Sequence, residues 1–168
     1  MTDAPDIPRP SQLWKQLSTD RRLRAAEAFW RDDTAASEQA EAIGLIAQRI
    51  KFRLKSVITM PVEKKAQYVV SMPGVSEILA ARLLVAYHLA HQRPMMGSFL
   101  DALGIAHEEG MIADEEMKPP SPDALKKAAS ALAASYPADD VSLYLSTLMW
   151  QDPETWGALG ELPEAAIQ

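Results

Sequence analysis

Apolar side chains recur along most of this chain at the spacing of an α-helix. In residues 37–53, for example, Ile43, Ile46, Ala47 and Ile50 follow the i, i+3, i+4, i+7 pattern that places apolar side chains on one helix face. No stretch shows the sustained alternation of apolar and polar residues, with a period of two, that marks a half-buried strand, and β-branched residues are few. The pattern therefore predicts an all-α fold without a sheet, a compact multi-helix bundle of about eight to ten short helices.

One predicted helix, residues 77–92, is apolar on almost every side. Eleven of the 13 residues from Ile78 to Ala90 are apolar. A helix of this kind packs against neighbours on several sides, so we expect it to be the central buried helix of the bundle. Pro73 and Gly74 end the helix before it, and Pro94 begins the helix after it.

Proline content and capping residues indicate how the chain is divided. Residues 1–10 contain three prolines and no periodic pattern, which predicts a flexible N-terminal lead-in. A helical core domain is expected over 11–105. The acidic, irregular residues 106–121 are predicted to be a loop or linker. Ser121 then caps the start of a C-terminal helical hairpin, 122–168, which we expect to pack on the core so that the chain forms one domain.

Composition excludes several classes of protein. Apolar residues make up 48% and charged residues 24% of the 168 residues, the proportions of a globular protein rather than a disordered one. Cysteine is absent, which excludes disulfides and thiolate chemistry. The first six residues lack the basic and apolar regions of a secretory signal, and no apolar run is long enough to cross a bilayer. We therefore expect a cytoplasmic location and no membrane partner.

Charge is distributed unevenly along the chain. Residues 45–93 carry 8 basic and 2 acidic side chains, whereas residues 94–168 carry 3 basic and 13 acidic ones, within a net charge of −6. This asymmetry has three interpretations: a patch that binds a polyanion, a surface that binds a protein partner, or two parts of one fold that attract each other. The third is the commonest arrangement in proteins.

Residues 68–84 resemble the helix-hairpin-helix motif of DNA repair and replication proteins. Pro73 and Gly74 stand in the hairpin between two helices, where that motif holds a DNA phosphate with backbone N–H groups and the start of its second helix. Ser76 replaces the second glycine of the motif, and Glu77 adds a negative charge. The alternative interpretation is a tight turn in which Ser76 and Glu77 cap the second helix.

If the hairpin does bind nucleic acid, nearby cations would contact the phosphates. The candidate residues for this function are Lys51, Arg53, Lys55, Lys64, Lys65, Gly74 and Ser76.

Two further groups of residues are candidates for binding. His88 and His91 lie three residues apart on one helix face, and His107 in the predicted loop is a candidate third ligand for a metal ion. Met111 and Met117 lie in the same acidic loop, where flexible thioether side chains suit an irregular partner surface.

No catalytic motif accompanies these candidates. The chain has no nucleophile with an adjacent base signature, no glycine-rich phosphate loop and no cofactor fingerprint, so no catalytic residue and no cofactor are predicted. The leading hypothesis is a non-enzymatic protein–protein interaction or regulatory module, with self-association as a homodimer among its forms. The alternatives are nucleic-acid binding through residues 68–84 and a metal-dependent helical enzyme.

Overall fold

The computed structural model describes residues 7–113 and 117–166 of the chain. The fold is 75% helical, and ten α-helices lie in the described ranges. The helices are α1 (Pro10–Gln16), α2 (Thr19–Trp30), α3 (Ala36–Ile50), α4 (Leu54–Ile58), α5 (Val62–Ser71), α6 (Glu77–His91), α7 (Arg93–Ala102), α8 (Pro122–Ser135), α9 (Ala138–Gln151) and α10 (Pro153–Trp156). The prediction of an all-α, multi-helix fold is confirmed. None of these helices is long and apolar enough to cross a membrane.

The chain groups into two compact units. The N-terminal unit is Arg9–His91 and contains α1 to α6. The C-terminal unit contains α7 to α10 and begins at Gln92, and residues 7–8 also belong to it. The sequence predicted a core domain that continues to residue 105 within one overall domain, and that organisation stays a prediction.

The N-terminal unit is organised around α2, which contacts both α5 and α6. Ser18 caps the start of α2 by accepting a hydrogen bond from the Arg21 N–H. The inward face of the helix includes Phe29, which is fully buried, and Trp30, whose ring packs edge-on against it at 5.0 Å between centroids. These two rings of α2 give the N-terminal unit an aromatic core.

Helix α6 is the strongly apolar helix that the sequence predicts to be central and buried. Within the N-terminal unit it contacts α1, α2 and α3. Its buried residues are Leu79, Ala80, Leu83, Leu84, Ala86, Tyr87 and His88. Burial on every side is not observed, however, because Ile78 in the first turn is 69% exposed. That turn follows the largely exposed connection 72–76 and is not enclosed by neighbouring helices.

Arg82 ties α6 to the connection between α2 and α3. Its Nη2 atom donates hydrogen bonds to the carbonyl oxygen and the hydroxyl of Thr34, both at 2.6 Å, and lies 3.9 Å from Oδ2 of Asp32. Burial by itself raises the pKa of Asp32, but hydrogen bonds from the Thr34 hydroxyl and amide, together with Arg82, leave that pKa below its usual value. These polar groups therefore stabilise the N-terminal unit.

The C-terminal unit has an aromatic core of its own. Phe99 of α7 packs against Tyr144 of α9, with 5.7 Å between ring centroids, and against Trp156 of α10 at 6.0 Å. Burial raises the pKa of Tyr144. Ser121 accepts a hydrogen bond from the Ala124 N–H, so α8 begins at the cap that the sequence predicts. Two short 3₁₀ segments, Gly157–Glu161 and Pro163–Ala165, follow α10.

The predicted irregular segment 106–121 contains a small β-hairpin, which corrects the prediction of no sheet. Strand β1 (His107–Glu108) pairs antiparallel with β2 (Met111–Ile112). The connecting residues, Glu109 and Gly110, both have positive φ, as a two-residue hairpin turn requires. The period of two is invisible in the sequence because each strand has only two residues. Residues 114–116 of this segment lie outside the described residues, as do residues 1–6 of the predicted lead-in.

Candidate functional site

The hairpin between α5 and α6 is closed by the protein's own polar side chains. Ser76 accepts a hydrogen bond from the Leu79 N–H at 3.1 Å, so it caps the start of α6. The Ser76 hydroxyl also donates to the carboxylate of Glu41, 3.0 Å away. The Leu79 N–H and the Ser76 hydroxyl thus have protein partners in this structure.

A second carboxylate, that of Glu77, lies at the same helix start. It accepts hydrogen bonds from the hydroxyl and the backbone N–H of Ser11. The hydroxyl donor is the main reason that the pKa of Glu77 is below its usual value. Two carboxylates beside one helix start repel a phosphate, so the geometry favours the capping interpretation of the hairpin.

Gly74 occupies ordinary space and ordinary backbone conformation. Its φ lies outside the left-handed region, and a Cβ atom added there would meet no atom within 4 Å. The turn therefore does not require glycine at this position. A role for Gly74 and Ser76 in binding phosphate stays a prediction.

The five predicted cations have different surroundings. The Nζ atom of Lys65 lies over the ring of Trp30, 4.7 Å from the centroid, and the side chain is only partly exposed. Lys64, its neighbour, is exposed. Lys51, Arg53 and Lys55 are all exposed; the first two lie on the connection between α3 and α4, and Lys55 lies in the first turn of α4. The structure therefore brings three of the five into one short segment.

Large apolar side chains alternate with these three cations. Phe52 is 51% exposed, Leu54 57% and Ile58 54%. Leu54 and Ile58 are four residues apart in α4 and share one face of the helix, while Val57 alone is buried. The apolar face of α4 is thus only partly covered: Val57 is buried, and Leu54 and Ile58 are open to solvent. We call the residues Arg49, Lys51, Phe52, Arg53, Leu54, Lys55 and Ile58 the basic apolar surface.

The backbone at the start of this surface is held in an uncommon conformation. Lys51 ends α3 in the left-handed region, at φ 57° and ψ 39°. The next N–H, that of Phe52, donates to the carbonyl oxygen of Ala47 at 3.0 Å and closes the helix end. Glycine is the usual residue in this position because a Cβ atom strains it. Lysine stands there instead, so a cation is retained at some cost in backbone strain.

The cations of the basic apolar surface have no partner among the described residues. Arg49, Lys51, Arg53 and Lys55 form no ion pair and no side-chain hydrogen bond there. Their charges therefore face solvent. The sequence-based interpretation that the basic middle and the acidic C-terminal part of the chain attract each other stays a prediction.

The three candidate histidines make contacts within the protein, and their role as metal ligands stays a prediction. His107 bridges its hairpin: Nδ1 accepts from the Gly110 N–H at 3.0 Å, and Nε2 lies 2.7 Å from Oδ1 of Asp101. His88 is buried and His91 exposed, and both rings lie against Tyr87. The described residues include no group of three His, Asp or Glu side chains that could hold a metal ion.

Met111 and Met117, the predicted partner-binding residues, lie in different surroundings. Met111 is 47% exposed on strand β2. Met117 is partly buried and lines an open groove of about 480 Å³ in the C-terminal unit, together with Ile105, Lys118 and Pro120. The role of both methionines in partner binding stays a prediction.

Sequence reasoning recognised the cations of the basic apolar surface but missed its apolar members. The signal was the strict alternation of basic and apolar residues from Lys51 to Lys55, which is too short to indicate a strand and too polar to indicate a core helix. Comparisons with protein-family models, with curated proteins and with solved structures found no match. A function for this chain is therefore inferred from its own geometry.

Proposed function

We propose that this chain is a non-enzymatic protein–protein interaction module that binds its partner through the basic apolar surface. One observation supports the proposal above the others: Phe52, Leu54 and Ile58 are each more than half exposed, next to cations that form no ion pair among the described residues. Contiguous exposed apolar groups mark interaction sites in proteins that otherwise bury such side chains.

The surface contains residue types that are enriched in interfaces. Aromatic residues and arginine are enriched among the residues that dominate binding energy, and here Phe52 lies between Lys51 and Arg53. Completing the burial of three half-exposed side chains of this size contributes roughly 1 kcal/mol each. The fixed end of α3 at Lys51 reduces the ordering that binding requires.

The other polar clusters of the N-terminal unit have structural explanations. Ser76 caps α6, and Glu77 joins the start of α6 to Ser11 of α1. Arg82 joins two segments of the unit through Thr34 and Asp32. These contacts support a scaffold rather than a catalytic site. The cytoplasmic location and self-association as a homodimer are further parts of the proposal.

Nucleic-acid binding is the second candidate function, and the residues that favour it are three of the seven that the sequence suggested. The exposed cations Lys51, Arg53 and Lys55 can contact phosphates, and the ring of Phe52 can stack on a base. The hairpin at Gly74 does not support this function because two carboxylates adjoin it.

Affinity capture with matched variants tests the proposed function. The wild-type chain is compared with Leu54→Ser/Ile58→Ser, which removes the exposed face of α4, and with Met111→Ser, which removes an exposed apolar side chain elsewhere. We expect the wild type and Met111→Ser to retain a partner protein in similar amounts. The amount that the double variant retains should be lower by about tenfold or more.

The same variants test self-association by light scattering. A dimer that Leu54→Ser/Ile58→Ser converts to a monomer identifies the partner as a second copy of the chain. Capture that the double variant leaves unchanged, or that Met111→Ser abolishes, contradicts the location of the site. Turnover of a metabolite by the purified chain would contradict the non-enzymatic function.

A further inference from the structure

We infer that the partner segment is an acidic amphipathic α-helix; this inference rests on the proposed function and concerns the same surface. The surface offers two chemistries at once. Phe52, Leu54 and Ile58 require apolar area from their partner, and the cations between and beside them require anions. A partner that supplies both must carry an apolar stripe with acidic groups beside it.

The spacing of the apolar groups suits a helix. Leu54 and Ile58 lie one turn apart on α4, so they form a short ridge, and Phe52 precedes the ridge. An amphipathic helix presents apolar side chains at i, i+3, i+4 and i+7, which can pack beside such a ridge. A second ridge is available because Leu45 on α3 is 38% exposed and lies one turn before Arg49.

The charges require acidic flanks on that helix. Arg49, Lys51, Arg53 and Lys55 follow one another at every second residue, and no carboxylate of the described residues pairs with them. The N-terminal unit as a whole has 13 basic and 8 acidic residues, so its field also favours an acidic partner. Glutamate and aspartate beside the apolar stripe of the partner helix would pair with these cations.

A nucleic acid can contact the cations and the aromatic ring of this surface but not its aliphatic side chains. Its phosphates can pair with the cations, and one base can stack on Phe52. Leu54 and Ile58 have no aromatic face and would remain exposed in such a complex, with the loss of the apolar contribution to binding. The aliphatic half of the surface therefore favours a protein helix.

Direct titration with designed peptides tests the inference. The probe is a fluorescently labelled 18-residue helical peptide of roughly five turns, with leucine at i, i+3, i+4 and i+7 and glutamate on both flanks. Its control is a peptide of identical composition and charge in which the order of residues destroys the apolar stripe. We expect the first peptide to bind at least about tenfold more tightly than the second.

Two protein variants locate the binding. Arg53→Glu/Lys55→Glu should weaken binding of the amphipathic peptide about tenfold or more, and Leu54→Ser/Ile58→Ser should do the same. Lys126→Glu/Lys127→Glu is the matched control, since both lysines are exposed on α8 and the change in charge is equal. That control should leave the affinity within about twofold of the wild type.

The outcomes separate the inference from the proposed function. Equal affinity for the two peptides, or peptide binding that the surface variants do not weaken, overturns the acidic helix as the partner class. Binding of a single-stranded 20-nucleotide DNA in the absence of peptide binding also overturns it, in favour of nucleic acid. If captured proteins still depend on Leu54 and Ile58, the proposed function holds even when the peptide result is negative.

Discussion

The two units of this protein use the same helical construction but distribute charge and apolar side chains in opposite ways. The N-terminal unit has 13 basic and 8 acidic residues, a net charge of +5, whereas residues 92–168 have 4 basic and 13 acidic residues, a net charge of −9. Five of the six large apolar side chains that are exposed in the described ranges belong to the N-terminal unit. Met111 is the sixth, in the C-terminal unit.

This comparison bears on where the proposed binding surface lies. In the C-terminal unit, nearly all of helix α9 from Asp140 to Met149 is buried, and the acidic groups are spread over capping positions and loops. In the N-terminal unit, the five-residue helix α4 buries only Val57. A helix this short contributes little to the core, so its exposed apolar face is better explained by a partner than by folding.

A comparison of two phenylalanines has the largest expected effect. Phe29 is fully buried, so Phe29→Ala should lower the free energy of unfolding by about 3–5 kcal/mol. Phe52 is half exposed, so Phe52→Ala should change it by no more than about 0.5 kcal/mol. Urea denaturation measures both. A loss above about 2 kcal/mol for Phe52→Ala would show that this side chain belongs to the core.

A pair of glycines, one from each unit, sharpens the comparison. Gly110 has φ 88°, and a Cβ atom there would lie 2.7 Å from Cβ of Met96, so Gly110→Ala should destabilise by about 2–3 kcal/mol. Gly74 has open space and no positive φ, so Gly74→Ala should be neutral or stabilising by up to about 1 kcal/mol. Thermal unfolding compares the two. A strong loss for Gly74→Ala would indicate that the hairpin needs glycine after all.

Substitution of Lys51 separates binding from stability. Lys51→Gly relieves the strain of the left-handed backbone at this position, so the free energy of unfolding should rise by up to about 1 kcal/mol. The unfolding temperature should rise accordingly. The same change removes one cation, so binding of the acidic peptide should weaken by about two- to fivefold. Calorimetry and titration on one sample measure both effects. A variant that is less stable than the wild type would contradict the strain at this position.

The smallest expected effect concerns pH and Glu77. Because hydrogen bonds from Ser11 lower the pKa of Glu77 from its usual 4.5, its carboxylate stabilises the folded chain above that pH. This contribution should disappear as pH falls through the lower pKa of the folded state. The side chain is largely in solvent, so Glu77→Gln should cost no more than about 0.5 kcal/mol at pH 7.

Denaturation of the wild type and Glu77→Gln as a function of pH checks this prediction. The difference between their free energies of unfolding should shrink only below about pH 4.5. Ser11→Ala, which removes the hydroxyl donor, should reduce the same pH dependence. A difference that is constant down to pH 2 would show that the hydrogen bonds do not lower this pKa.

The helical class and several helix starts could be predicted because they depend on local interactions. Ser76 and Ser121 accept hydrogen bonds from N–H groups three residues later, and such caps involve only neighbouring residues. The short hairpin at His107 could not be predicted. It depends on the contact of the His107 ring with Asp101 and on the close approach of Gly110 to Met96. The order of residues does not reveal either contact.

The candidate site divides in the same way. The sequence by itself determined an all-α chain with a basic middle and an acidic C-terminal half, because periodicity, capping and charge are properties of neighbouring residues. It could not determine how much of the apolar face of α4 is buried, since Leu54, Val57 and Ile58 all lie on that face and are equally apolar. Only the tertiary structure decided that Val57 packs inward and the other two remain in solvent, because burial depends on which helices happen to be adjacent.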